Sequence, residues 1–176
     1  YKFLINKFVS KEIIRGDTQL LMYLLINYCA DNFLNQIEGM FSFVFFDIYT
    51  NKFIASRDRF GIKPLYYTLN KDEAFFCSEP HPIADIKEYK FDKISLKEIE
   101  KFRRPTPGYS FYKNVLECLP GFVITNKSIH RWNGSLPEIS SENFNQEELE
   151  ERIKNVFTLN TVGDIPHSAF QSGGID

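Results

Sequence analysis

The sequence predicts an α+β protein, and three observations carry that reading. Apolar residues recur at helical spacing over residues 17–28 and again over 146–159. Between them, short runs rich in Phe, Val, Ile and Tyr are separated by turn residues at 47–51 and 70–72, the pattern of hairpin-connected strands. Residues 133–145, rich in Gly, Ser, Pro, Asn and Glu, have the composition of a linker and place a domain boundary ahead of the second helix.

Taken in order, residues 1–15 suit a helix only weakly, through Phe3, Leu4, Phe8 and Val9. Gly16-Asp17-Thr18 leads into a firmer one, whose Leu20, Leu21, Leu24, Leu25 and Tyr28 fall on one face. Asp17 stands at its entry, where an N-cap is the frequent role of an aspartate. The functional alternative is a carboxylate that faces a cleft and binds a substrate ammonium group. A turn at Glu38-Gly39 opens the run Met40–Phe46, apolar on both alternating faces except at Ser42, which predicts a strand in a sheet covered on both sides. Residues 52–56 return as a second strand.

The segment Arg57 to Tyr67 sets two arginines around Asp58, with Gly61 free to take an unusual backbone angle and Pro64 holding Lys63 extended. It reads first as a salt-bridged connection. Strands over 65–69 and 74–77 follow, and Cys77 reads as a small buried hydrophobe, its neighbours including no cationic cluster to activate a thiol. Ser95-Leu96-Lys97-Glu98 has capping-box spacing and starts a short helix to Phe102. After Pro105, Pro107 and Gly108, Leu119-Pro120-Gly121 introduces strands over 122–125 and 129–132. In the last helix, Leu149, Ile153, Val156 and Phe157 form the expected buried stripe, while Glu147, Glu148, Glu150 and Glu151 sit near its positive end.

Composition narrows the function. With 176 residues and 43% apolar content, the chain can hold one domain, or one domain plus a piece of another. Lys plus Arg (21) nearly balances Asp plus Glu (23), and no basic block points to nucleic acid or an anionic membrane. The longest apolar run, Leu20 to Ile26, is far short of a bilayer span. Cys29, Cys77 and Cys118 are odd in number and widely spaced, which fits a reducing compartment, the cytoplasm best. A start at Tyr1 and a stop at Asp176 lead us to expect an excised fragment.

The stop follows Ser172-Gly173-Gly174-Ile175-Asp176, a loop entered from residues 165–171, which read as a strand. Two glycines framed by a hydroxyl and a carboxylate let successive N–H groups converge into an anion site, usually for phosphate. On these five residues alone an ordinary Gly-Gly turn is the simpler reading.

Together, however, several of these pieces resemble glutamine-dependent asparagine synthetase. Glu38-Gly39-Met40-Phe41-Ser42-Phe43, the run Arg57 to Tyr67, Ser78-Glu79, Pro107-Gly108, Leu119-Pro120-Gly121 and Arg131-Trp132 look like its glutaminase domain, in the same order. Residues 172–176 are similar to its pyrophosphate loop. The resemblance implies a four-layer αββα sandwich of the N-terminal-nucleophile type over residues 1–132, a linker at 133–145, and over 146–176 the first helix, strand and loop of an ATP-binding α/β synthetase domain. It implies that glutamine hydrolysis supplies ammonia to an aspartyl adenylate made with ATP and Mg2+. The expected partners are then the small molecules glutamine, aspartate and ATP, and a homodimer is compatible with the reading.

Residue by residue, Asp17 matches the aspartate that binds the α-amino group of glutamine. Ser172, Gly173, Gly174 and Asp176 match the ATP loop, Asp176 as a magnesium ligand, and Gln171 takes the place of a leucine that contacts the nucleotide through its backbone. The family's first-residue cysteine, an early arginine and an Asn-Gly oxyanion pair have no counterpart from Tyr1 onward, so the polypeptide itself is expected to be inactive. Two alternatives stay open: a non-catalytic glutaminase-like domain, and an amidotransferase acting on a different carboxylate.

Overall fold

The computed structural model describes residues 15–134, 145–161, 166–168 and 172–173. It divides the chain into two compact units, Tyr1–Ser135 and Leu136–Asp176. The weak helix expected near the start falls on residues 1–14 and lies outside the described residues, apart from Arg15.

The first unit opens with α1 (Asp17–Asn27), which buries Leu20, Leu24 and Leu25 as their spacing requires. It ends where Tyr28 turns extended and donates its N–H to the Leu24 carbonyl at 2.9 Å. A second helix, α2 (Ala30–Phe33), and a tight turn at Leu34–Gln36 follow. Neither shows in the sequence pattern, because four residues are too few to show a period. Their Ala30, Phe33 and Leu34 nonetheless join the α1 leucines, Val123 and Trp132 in one core.

Strands β1 (Ser42–Asp47), β2 (Lys52–Arg57), β3 (Tyr66–Leu69) and β4 (Ala74–Cys77) match the expected runs within two residues. After them come α3 (Pro80–Lys87), which was not expected, and α4 (Lys93–Phe102). Then β5 (Leu116–Glu117), also new, precedes β6 (Phe122–Thr125) and β7 (Ile129–Arg131). Every pairing among them is antiparallel, in a four-stranded sheet ordered β1-β2-β6-β7 and a three-stranded sheet ordered β4-β3-β5.

Period-two alternation decides what each face meets. Ile54 on β2 and Val123 on β6 pack with α1 and α2, while their neighbours Ala55 and Ile124 pack with Leu65, Tyr67, Leu116 and Cys118 of the second sheet. The far face of that sheet, through Tyr66, Phe75 and Cys77, meets Ile83 and Ala84 of α3. At full exclusion from water each such side chain contributes about 1.5–3 kcal/mol.

Three expectations need correction. The first strand is not covered on both faces: Phe43 and Phe45 pack on the helical core, but Val44 and Phe46 are 44% and 53% exposed. Among the described residues β1 is an edge strand, and the cluster between the sheets takes side chains from β2 and β6 and none from β1. The capping box at Ser95 does not form either. Asp92 caps α4 instead, its carboxylate accepting from the Ser95 N–H at 2.9 Å, and Glu98 turns away to hold the Thr106 N–H and hydroxyl. Finally, the apolar stripe of the last helix is open.

That last helix, α5 (Gln146–Asn160), belongs to the second unit. Asn145 caps it, accepting from the N–H groups of Glu147 and Glu148 at 3.0 and 3.2 Å. Leu149, Ile153, Val156 and Phe157 are all exposed, since none of the described residues supplies this helix with a core. Of the strand expected over 165–171, Pro166, His167 and Ser168 carry no regular structure and the remainder lies outside the described residues. Among the described residues, no helix is long and apolar enough to cross a membrane.

Candidate functional site

Asp17 is the first residue of α1 rather than its cap. Gly16 occupies the cap position with extended backbone and no side chain to offer. The Asp17 carboxylate takes the Thr18 N–H at 2.7 Å and remains exposed at the helix start. An exposed, ionised carboxylate fixed at a helix start can accept from a ligand ammonium.

The most elaborate polar arrangement lies at the end of β2. Asp58 is fully buried and accepts four backbone N–H bonds: Phe41 and Lys63 at 3.3 and 2.9 Å on one oxygen, Phe60 and Ile62 at 3.1 and 3.0 Å on the other. Burial pushes its carboxyl up, but these donors outweigh burial and hold it below the ordinary carboxylate range. Arg57, 6% exposed, turns the other way. Its guanidinium donates to the carbonyls of Lys63, Gly61 and Cys118 and to Glu117 Oε1, all within 2.7–2.8 Å. The Arg57 carbonyl accepts from the Trp132 indole at 3.3 Å, and Asn35 donates to the Trp132 carbonyl at 2.8 Å.

The salt-bridged connection expected from Arg57-Asp58-Arg59 is borne out in part. Arg57 does pair with a carboxylate, but it is that of Glu117, sixty residues away in sequence, where no local pattern could point to it. Asp58 pairs with backbone, and Arg59 reaches the Asn35 carbonyl at 3.4 Å. Gly61 is required by the packing: at φ +66, an added Cβ would come within 2.7 Å of Pro120 and 3.1 Å of the Arg57 guanidinium. The two charges therefore shape the loop 58–63 and fasten it to residues 117–121. They work as a frame, with no side chain left for chemistry.

The three cysteines are free thiols. Cys118 is buried between the sheets, and burial pushes its thiol up to about 12 despite the nearby Arg57 charge. Cys77 is half-buried in the α3 cluster, close to the role expected for it, and Cys29 is exposed. Among the described residues no group of three His, Cys, Asp or Glu side chains could hold a metal. Of the expected ATP loop, Ser172 and Gly173 are described and exposed, with Gly173 at φ +74; Gln171, Gly174 and Asp176 lie outside the described residues.

Against known proteins, the chain is 29% identical to asparagine synthetase [glutamine-hydrolyzing] 3 of Bacillus subtilis, over 92% of this chain and 28% of the relative. It is 29% identical to the putative asparagine synthetase [glutamine-hydrolyzing] 2 of Methanocaldococcus jannaschii, over 100% of this chain and 36% of the relative. A 26% match covers 94% of the chain and 26% of the amidase chry2 of Gibberella zeae. The chain thus spans little more than a third of these relatives at most. Residues 7–133 match the glutamine amidotransferase domain, a stretch that contains both the Asp17 helix start and the Arg57–Asp58 frame, and the chain belongs to that family.

Proposed function

We propose that the gene product carrying this chain hydrolyses glutamine and passes the ammonia to an ATP-activated aspartate, giving asparagine. The observation that carries this reading is the glutamine amidotransferase match over residues 7–133, together with relatives named glutamine-hydrolysing asparagine synthetases. In this reading residues 1–132 are the glutaminase domain, built as a four-layer αββα sandwich. The succession of packed clusters, helices on sheet, sheet on sheet and sheet on α3, supports that architecture. Residues 133–145 are the linker, and 146–176 open the ATP-binding domain.

Asp17 binds the ammonium of glutamine, a role its exposure and fixed position suit. Gln171, Ser172, Gly173, Gly174 and Asp176 hold the pyrophosphate of ATP, with Asp176 on magnesium. The left-handed backbone of Gly173 fits this, because it lets adjacent N–H groups converge on an anion. When bound, ATP gives the acceptor carboxylate a leaving group that it otherwise lacks. The three cysteines, none of them in a disulfide, agree with a cytoplasmic enzyme, and a homodimer is compatible with this reading. The amidase relatives favour one alternative, the same glutaminase chemistry serving another carboxylate acceptor.

The test is glutamate release from the full-length gene product, with and without a Cys→Ala change at its first residue after Met removal, alongside AMP formation with aspartate. Release abolished by the change, with aspartate-dependent AMP, supports the proposal. Release without aspartate-dependent AMP moves it to another acceptor. Folded protein that releases no glutamate refutes it.

A further inference from the structure

The approach of α2 to the β6–β7 hairpin lines up a hydroxyl, an imidazole and a carboxylate. Ser128 Oγ lies 3.2 Å from His130 Nδ1, and His130 Nε2 lies 3.1 and 3.2 Å from the two oxygens of Asp31. Asp31 and His130 are 99 positions apart in the chain, so the fold and not the local sequence assembles the group. A carboxylate at Nε2 keeps the imidazole proton on that nitrogen and turns the Nδ1 lone pair toward Ser128. The other neighbour of Ser128 does not compete for its proton. Thr125 Oγ1 lies 3.2 Å from Ser128 Oγ, but it already accepts the N–H groups of Lys127 and Ser128 at 3.2 and 3.0 Å and donates to the Ser128 carbonyl at 3.2 Å, so both its lone pairs and its proton are taken. The hydroxyl of Ser128 is thereby left to donate to His130. A nucleophile, a base in hydrogen-bond reach and a third group that orients the base form the arrangement of an activated hydroxyl.

We propose that Ser128 is an acyl-acceptor site, modified covalently by small activated acyl compounds such as phenyl esters and acyl phosphates. Ser128 Oγ forms a bond to the acyl carbon as its proton passes to His130 Nδ1. The C–O bond to the leaving group breaks, and the electron pair departs with the phenolate or phosphate. All three groups can be reached by such reagents: Ser128 is exposed, and the His130 and Asp31 side chains are 41% and 49% exposed.

The same geometry limits the reaction to one round. The N–H groups of Lys127 and Ser128, the nearest candidates for stabilising an oxyanion, already donate to Thr125 Oγ1 at 3.2 and 3.0 Å. Losing one oxyanion donor typically costs about 100- to 1,000-fold in rate. An activated ester tolerates that loss, whereas hydrolysis of the resulting serine ester does not. The modification therefore accumulates on the protein, and no role in the proposed amidotransferase chemistry is assigned to these residues.

The experiment treats the folded chain with p-nitrophenyl acetate and maps acetylation by peptide mass spectrometry over time. We expect acetylation of Ser128 to one equivalent without further turnover, lost in Ser128→Ala and slowed about 100-fold in His130→Ala. Acetylation of the adjacent exposed Lys127, unchanged in both variants, is the internal measure of reagent exposure, and circular dichroism reports whether each variant is folded. Ser128 left unmodified while Lys127 reacts overturns the proposal, and so does equal Ser128 labelling in a folded His130→Ala protein. Should that variant unfold, a Ser128 rate in the parent chain that stays flat across the range where imidazoles titrate overturns it as well.

Discussion

Replacing Asp58 by Asn tests whether the frame at the end of β2 is held by an ionised carboxylate. Two backbone N–H groups point at each carboxylate oxygen. An amide retains one acceptor, so whichever way it turns, its NH2 faces two N–H donors that are left buried without partners. A hydrogen bond to a charged group contributes about 1.5–3 kcal/mol, so Asp58→Asn should cost about 3–6 kcal/mol at neutral pH. Against a total of about 5–15 kcal/mol, that is a large share of the stability of the fold. The pH dependence has a definite sign. Asp58 titrates below its ordinary 3.8 in the folded chain, so its contribution is fully present above that value and is lost as pH falls through the lowered one. Urea unfolding of both proteins from neutral to acid pH should show a gap that is wide at neutrality and narrows with acid. A gap under about 1 kcal/mol at neutral pH, or one that does not change on acidification, would refute the reasoning.

Other outcomes follow from neighbouring residues. Arg57→Lys replaces a planar fork by one ammonium that cannot serve three carbonyls and Glu117 together, and should lower stability by about 2–4 kcal/mol in the same urea assay. Gly61→Ala sets a Cβ against Pro120 at a left-handed position and should cost about 1–3 kcal/mol, measured as a lower thermal midpoint. In the native chain a maleimide should modify Cys29 and spare Cys118, whose thiol is pushed up to about 12, until denaturant is added; early labelling of Cys118 would contradict its position between the sheets. In the full-length gene product, Asp17→Asn should raise the KM for glutamine at least tenfold with little change in stability, since the side chain is exposed. An unchanged KM would remove Asp17 from the proposed glutamine site.

What could be read in advance depended on how far apart the interacting residues stand. The α1 leucines repeat every three or four positions, so α1 was legible with its buried face. Every described strand but β5 was legible as a strand, but an apolar run does not say whether a strand lies at the edge, and Val44 and Phe46 looked like core until the sheet order left them uncovered. In Arg57-Asp58-Arg59 the charges were plain and their partners were not, because backbone N–H groups leave no mark in a sequence and Glu117 lies on a distant strand. Ser95 and Glu98 had the spacing of a capping box, yet Asp92 one turn earlier was the stronger competitor for the Ser95 N–H. The stripe on α5 was recognised correctly as one face of a helix, and no described residue covers it. At the candidate site, position was more legible than role: Asp17 does stand at a helix start, and its charge is available to a ligand.

The frame around Arg57 and Asp58 also bears on how the chain folds over time. Its longest bonds join residues 17, 60, 61 and 75 positions apart, and Trp132, one of its members, is held in turn by Asn35 from 97 positions away. Each such loop must close, at an entropic cost, before the bond it permits can form. The Arg57 charge consequently loses the last of its water only after β2 and the segment carrying β5 have met, late on the route to the native state. Interactions formed that late are mostly absent from the transition state, so their removal speeds unfolding and leaves refolding almost unchanged. The frame acts as a latch on the finished fold, setting how long a native molecule survives more than how quickly it forms.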